Sequence, residues 1–307
     1  MREQTYLATS LGVTLAVAVL GIGTGLLSGS RAIAFDGIYA LADAGMTLLA
    51  LFVSRLILRA TATGGATDRL QARFNMGVWH LEPLVVAFDG LLLMGIALYA
   101  FVNGLMSLTE GGQQVALGPA LAYTTVTFAA CAGMAAFGRR QNRRFGSDLV
   151  ALDVKGWTMS ACITAALLVA FALGLALDWQ GAAHLVPYVD PLVLALVSLA
   201  IVPVPLREVR QAIREILLIT PEDLRAEVEE VARRLVAEQG FVGHRAYVAE
   251  IGRAVQIELW FVVPPGAPPR PLEHWDVLRD RVAAAIGGAE QHRWLTVTFT
   301  ADPEWAV

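Results

Sequence analysis

Asp36, Tyr39 and Asp43 stand three and four residues apart in an otherwise apolar run. In a helix that spacing puts a carboxylate, a phenol and a second carboxylate on one face. Asp89 and Asp153 stand in two further apolar runs. Asp153 shares its helical face with Gly156, Trp157 and Ser160, while Lys155 points well away from that stripe. Carboxylate oxygens suit hard or borderline divalent cations. An unpaired carboxylate in a dry helix bundle takes up a proton instead. A carboxylate that trades a proton for a metal ion is therefore a natural coupling device, and ionisable groups inside membrane spans usually mark a pathway. A structural reading stands beside this one. Asp36 and Asp153 each lie within about two turns of the end of a run, where an aspartate can reach interfacial water or bond a neighbouring helix. Asp43 lies near the middle of its run, and no Lys or Arg in the same helix is near enough to neutralise it.

These side chains need long apolar helices to hold them, and the composition supplies them. Of 307 residues, 56% are hydrophobic and 16% charged, against about a quarter charged in an ordinary soluble domain. The 50 charged residues divide into 27 within residues 1–217 and 23 within residues 218–307, with net charges of +1 and −5. The first part reads as a transmembrane domain, 1–217, and the second as a soluble domain, 218–307. Crossing the apolar core takes about 20 mostly apolar residues as a helix. Six runs qualify: Tyr6 to Leu27, Ile33 to Leu58, Leu81 to Met106, Leu117 to Phe137, Leu149 to Leu177, and Val186 to Val204, the last open to continuation as far as Leu218. The first is too long for a cleavable signal and has too weak a basic start. Cys131 and Cys162 both lie in apolar runs and imply no disulfide framework.

Arginines orient the spans. Arg55, Arg59, Arg69 and Arg73 follow the second, Arg139, Arg140, Arg143 and Arg144 the fourth, and Arg207, Arg210 and Arg214 the sixth. The alternate loops hold only Arg31, with Glu110 and Asp178. Both termini and the basic loops are therefore expected in the cytoplasm, in a membrane of the bacterial inner type.

The tail changes period. Residues 222–239 follow a helix start at Thr220-Pro221-Glu222-Asp223 and close at Gly240. His244 to Ile251 and Ala254 to Val263 alternate as strands around a Gly252-Arg253 turn, a proline-rich loop covers 264–271, a second helix runs from about Glu273 to Ile286, and a last strand from Arg293 to Thr300. The expected fold is a six-helix transmembrane bundle plus a small α+β cytosolic domain of order α-β-β-α-β, ferredoxin-like, with two helices on one face of a three-stranded sheet.

The run Asp36-Gly37-Ile38-Tyr39-Ala40-Leu41-Ala42-Asp43 resembles the D-x-x-(H/D/Y)-x-x-x-D pattern of the cation diffusion facilitator family. Met76-Gly77-Val78-Trp79-His80-Leu81-Glu82-Pro83-Leu84 is similar to that family's F-G-x-x-K/R-x-E-x-L opening of span three. Span number, orientation and tail fold agree with the resemblance, which covers nearly the whole chain. It implies a divalent-cation exporter with a metallochaperone-like cytosolic tail. The family's transport site takes two ligands four apart in span two and two four apart in span five. Tyr39 and Asp43 match the first pair. Gly156 and Ser160 fall on the second, where glycine offers no donor and serine a weak one. Three accounts compete: a site shifted one turn, onto Asp43 and Asp153 with Tyr39, Asp36 or water; a cargo that tolerates more water, such as Mn²⁺, Fe²⁺ or Mg²⁺; or a branch that does not transport by the family's mechanism. The shifted site ranks first, because antiparallel spans put Asp153 about one turn cytoplasmic of Asp43.

The resemblance also implies a homodimer joined through the tails and a second, cytosolic metal site, for which His244, His274 and Asp302 occupy similar positions. His80 and His292 read as loop or interface residues, His184 as facing the outside with no partner in reach by sequence, and Trp260, Trp294 and Trp305 as packing or dimer contacts. No permanently bound cofactor is expected. The partners are the divalent cation (Zn, Fe, Mn, Co or Cd undistinguished), the proton as coupling ion, membrane lipid and a second copy of the chain. The acidic tail argues against nucleic acid. There is no phosphate loop, nucleophile elbow or zincin motif, so no enzyme is indicated. The rival to efflux by proton antiport is a membrane-bound metal sensor or regulator on the same scaffold, without transport.

Overall fold

The computed structural model describes residues 3–61, 79–145, 148–252, 254–287 and 293–306. Arg69, Arg73, residues 76–78 of the span-three motif, Arg253 and His292 lie outside the described residues. The spans are α1 (Glu3–Ser28), α2 (Arg31–Thr61), α3 (Leu81–Thr109), α4 (Leu117–Phe145), α5 (Asp148–Trp179) and α6 (Val186–Ile201). Among the described residues six helices are long and apolar enough to cross a membrane. The sixth does not run on unbroken. It ends at Ile201, and a shorter helix, α7 (Leu206–Ile216), begins after a turn holding Pro203 and Pro205. Neither proline has an N–H to give the helix ladder.

By compactness the chain forms two units: residues 1–49 with 89–207, and residues 50–88 with 208–307. In the first, α1 and α2 cross on glycine. A Cβ at Gly37 would lie 2.6 Å from the Ile22 backbone nitrogen and 2.8 Å from the Ala18 carbonyl oxygen. Ile33 and Phe35 of α2, Tyr123 of α4, Leu167 and Phe171 of α5 and Leu194 of α6 form the main buried cluster.

The loops joining α1 to α2, α3 to α4 and α5 to α6 are tied together by backbone. Ala116 N donates to Ser28 O at 2.9 Å, and Gln113 N to Pro187 O at 2.7 Å. Pro187 O is free for this because the group four residues on, Pro191, has no N–H to fill it. Gln113 Nε2 donates to Gly29 O at 2.5 Å. Gly29 has φ +75°, a turn conformation that favours glycine.

In the second unit, α8 (Glu222–Gln239), β1 (Gly243–Ile251), β2 (Ala254–Val262), α9 (Leu272–Ile286) and β3 (Arg293–Thr300) follow the expected order. The sheet runs β1-β2-β3, with β1 antiparallel and β3 parallel to β2. Strand alternation sends Val248, Ile257, Leu259, Phe261 and Val297 inward against Val228, Ala232 and Leu235 of α8 and Leu278, Val282 and Ile286 of α9. Gly240 ends α8 at φ +66°. Thr220 does not cap that helix. Its hydroxyl donates instead to Val248 O of β1 at 2.7 Å. The β1–β2 turn meets the start of α3: a Cβ at Gly252 would lie 3.0 Å from Trp79 O and 3.1 Å from Glu82 Oε2. Gly252 N donates to Glu215 Oε2 of α7 at 3.1 Å.

Candidate cation site in the membrane bundle

Asp43 is exposed, whereas Asp36, Tyr39, Asp89, Asp153 and Ser160 are partly buried. Asp43 is the most open of these four aspartates. It lies within electrostatic range of Asp153 on α5 and of Asp89 on α3. Tyr39 lies within range of both Asp43 and Asp89. Three carboxylates from spans two, three and five and one phenol therefore share a neighbourhood. Asp89 entered the sequence reading only as an isolated acid; its place beside Asp43 comes from the packing. One of its oxygens, Oδ1, is buried without a hydrogen-bond partner among the described residues. Such an atom is costly unless something pairs with it. Among the described residues no three His, Cys, Asp or Glu side chains are close enough to hold a metal ion between them.

Asp36 is turned to a different partner. It accepts a hydrogen bond from Tyr123 of α4 at 3.2 Å, and Gly21 of α1 makes room for that hydroxyl, since a Cβ there would lie 2.6 Å from it. Asp153 accepts from Tyr6 Oη at 2.7 Å and from Ser10 Oγ at 2.7 Å, both on α1. Trp157, on the same face of α5 as expected, is buried and donates to Ser10 Oγ at 2.7 Å. Lys155 is exposed, on the side away from this stripe. At Gly156 a Cβ would meet nothing within 4 Å, so packing does not demand glycine at this span-five position. Ser160 offers its backbone oxygen to Thr164 at 2.8 Å.

A further buried acid, Asp190 of α6, has no place in the sequence reading. It is 2% exposed. It accepts from the Ser30 hydroxyl, from Arg31 N at 3.0 Å and from Ala32 N at 3.4 Å. Ser30 Oγ in turn accepts from Ile33 N at 3.0 Å. Asp190 and Ser30 thus cap the N-terminus of α2, where free N–H groups and the helix dipole favour a negative charge. The sequence signal for it, an acid in an apolar run, is the same as for Asp43.

The tail residues lie apart. His244 Nε2 pairs with Glu229 Oε2 of α8 at 2.8 Å, because its place in the strand turns it to the helix-covered face. His274 Nε2 meets Arg270 at 2.5 Å and the Trp275 ring edge-on. Asp302 Oδ1 accepts from Glu304 N at 3.0 Å in its own turn. His184 is exposed in a short 3₁₀ turn. Trp294 and Trp305 are exposed and Trp260 partly so.

The family model for the cation efflux transmembrane domain matches residues 7–217. No curated protein matches the sequence.

Proposed function

Since this chain belongs to the cation efflux family, we propose that it exports a divalent cation from the cytoplasm in exchange for protons, with Asp43 as the central ligand. Transport of cations across the membrane follows from the family, and the protein is an integral membrane transporter rather than an enzyme. The finer reading rests on one observation: an exposed Asp43 with Asp89, Asp153 and Tyr39 around it. All four offer oxygen and none offers nitrogen or sulfur. Such a set suits Mn²⁺, Fe²⁺ or Mg²⁺, with water completing the shell, better than it suits Zn²⁺. Clustered carboxylates repel one another when empty. A divalent cation relieves that repulsion, and so do protons, which is how one set of groups can couple two opposite fluxes. Alternating access then moves the site between the two sides. The arginine distribution supports cytoplasmic termini, and the family supports a homodimer through the tails.

The bare position at Gly156 and the weak donor at Ser160 favour the sensor reading, and flux decides between the two. Purified protein in proteoliposomes carrying a pH-sensitive dye is offered Mn²⁺, Fe²⁺, Mg²⁺, Co²⁺, Zn²⁺ and Cd²⁺ in turn. Wild type should move protons against at least one metal. Asp43→Asn, which keeps the shape but loses the anionic ligand, should abolish that flux with expression intact. Asp153→Asn should weaken it and Ser160→Ala should matter little. Wild-type flux from Asp43→Asn would remove the site from this position. No flux of any metal by the wild type would leave the sensor.

A further inference from the structure

We propose that span one belongs to the cation site, with Tyr6 and Ser10 as positioning residues that set the orientation of the Asp153 carboxylate. The inference rests on the reading above, which takes Asp153 as a ligand of the cargo.

The bonds form a directed chain. An indole N–H can only donate, so Trp157 Nε1 fills an acceptor position of Ser10 Oγ at 2.7 Å. The Ser10 proton then goes to Asp153 Oδ1, also at 2.7 Å. Tyr6 closes the other side, its hydroxyl donating to Oδ2 at 2.7 Å. Both oxygens are therefore held, each by a donor whose own position is locked. Tyr6 is 0% exposed, Ser10 2% and Trp157 6%. The Tyr6 ring lies 5.8 Å from that of Phe137 on α4 and packs with Val150 and Val154 of α5. Gly138 of α4 leaves room for its hydroxyl, because a Cβ there would collide with that oxygen and with the Val154 side chain. Three spans thus build the holder for one carboxylate.

A helix–helix tie would be complete with one such bond. Two donors, one on each oxygen, fix the plane of the group. A carboxylate has about four lone-pair positions, so one remains free on each oxygen, and Asp43 lies within electrostatic range. This is how an outer-shell partner prepares a metal ligand, by orienting it before the ion arrives.

The test uses the full-length protein in detergent, with Mn²⁺ binding by titration calorimetry, Mn²⁺ flux in proteoliposomes and thermal unfolding measured on the same samples. The variants are Tyr6→Phe, Ser10→Ala, Asp153→Asn and the double variant Tyr6→Phe/Asp153→Asn. Removing an outer-shell partner typically costs about 10–100-fold in metal affinity. Tyr6→Phe and Ser10→Ala should each weaken Mn²⁺ binding by about tenfold or more and raise KM with a smaller change in kcat. In the Asp153→Asn background Tyr6→Phe should have no further effect on binding. Unchanged Mn²⁺ affinity in Tyr6→Phe and Ser10→Ala, with only the melting temperature lowered, would make the clasp structural and overturn the proposal. Equal weakening by Tyr6→Phe with and without Asp153 would overturn it too, placing the effect of Tyr6 elsewhere. Should Tyr6→Phe not fold, Ser10→Ala decides on the same criteria. Wild-type binding by Asp153→Asn would instead refute Asp153 as a ligand, a separate failure in the underlying reading.

Discussion

Replacing Asp190 by asparagine should destabilise the membrane bundle without touching the proposed cation site. Asp190 receives three donors from the start of α2: the Ser30 hydroxyl, Arg31 N at 3.0 Å and Ala32 N at 3.4 Å. A hydrogen bond to a charged group contributes about 1.5–3 kcal/mol net. Asparagine keeps one oxygen for the Arg31 and Ala32 N–H groups, and its NH₂ meets the Ser30 hydroxyl, which can accept as well as donate. All three bonds then fall to the neutral strength of about 1 kcal/mol. Losing the charge at a partly buried helix N-terminus removes a further ~0.5–1 kcal/mol. Together the cost is about 3 kcal/mol. In a domain of this size each kcal/mol shifts the midpoint by about 2–4 °C, so Asp190→Asn should melt roughly 6–12 °C below wild type. The assay is thermal unfolding of full-length protein in detergent, followed by tryptophan fluorescence. Ser30→Ala, which loses the cap to Ile33 N and one donor to Asp190 while leaving the charge, should cost about 2–4 kcal/mol, a shift of similar size. At temperatures where Asp190→Asn stays folded, its KM for cation should match wild type. Arg31, whose N–H Asp190 caps, lies twelve residues from Asp43, roughly 18 Å along a helix. The reasoning fails if Asp190→Asn or Ser30→Ala melts within about 2 °C of wild type.

Alanine at Gly37 should cost about 1–3 kcal/mol, because its Cβ would meet the Ile22 nitrogen and the Ala18 carbonyl, backbone atoms that cannot turn aside. Alanine at Gly45, where nothing lies within 4 Å, should be neutral or stabilising by up to about 1 kcal/mol; melting temperatures of the pair check the contrast. Glu250 of β1 has its carboxyl raised above the ordinary glutamate value of 4.5, first by burial and then by the Glu215 carboxylate. A raised carboxyl favours the protonated form in the fold, so its contribution is present at low pH and lost as pH rises from the ordinary glutamate value through the raised one. Glu250→Gln should therefore raise the melting temperature at neutral pH and leave it unchanged in acid; equal shifts at both would show that Glu250 does not titrate as described.

The six spans, the arginine asymmetry and the common face of Asp36, Tyr39 and Asp43 were all legible in the chain, as was the alternation of β1, β2 and β3. Each is a local pattern: twenty apolar residues, a charge count in a short loop, a period of 3.6 or 2. A period tells which residues of one helix share a face. It does not tell which way that face turns in the bundle. That is set by how helices cross, and crossing depends on small residues such as Gly21 and Gly37 and on the polar contacts that the crossing permits. So four acids with the same local signature received different tasks from tertiary structure alone. Asp36 went to Tyr123 and Asp153 to Tyr6 and Ser10, 147 and 143 residues away. Asp190 went to the first turn of α2, 158 to 160 residues away, and of these four Asp43 alone is exposed, within electrostatic range of Asp89 and Asp153. A buried carboxylate must find donors or an opposite charge wherever the fold offers them, and the donors here lie on other helices, beyond the reach of any local pattern.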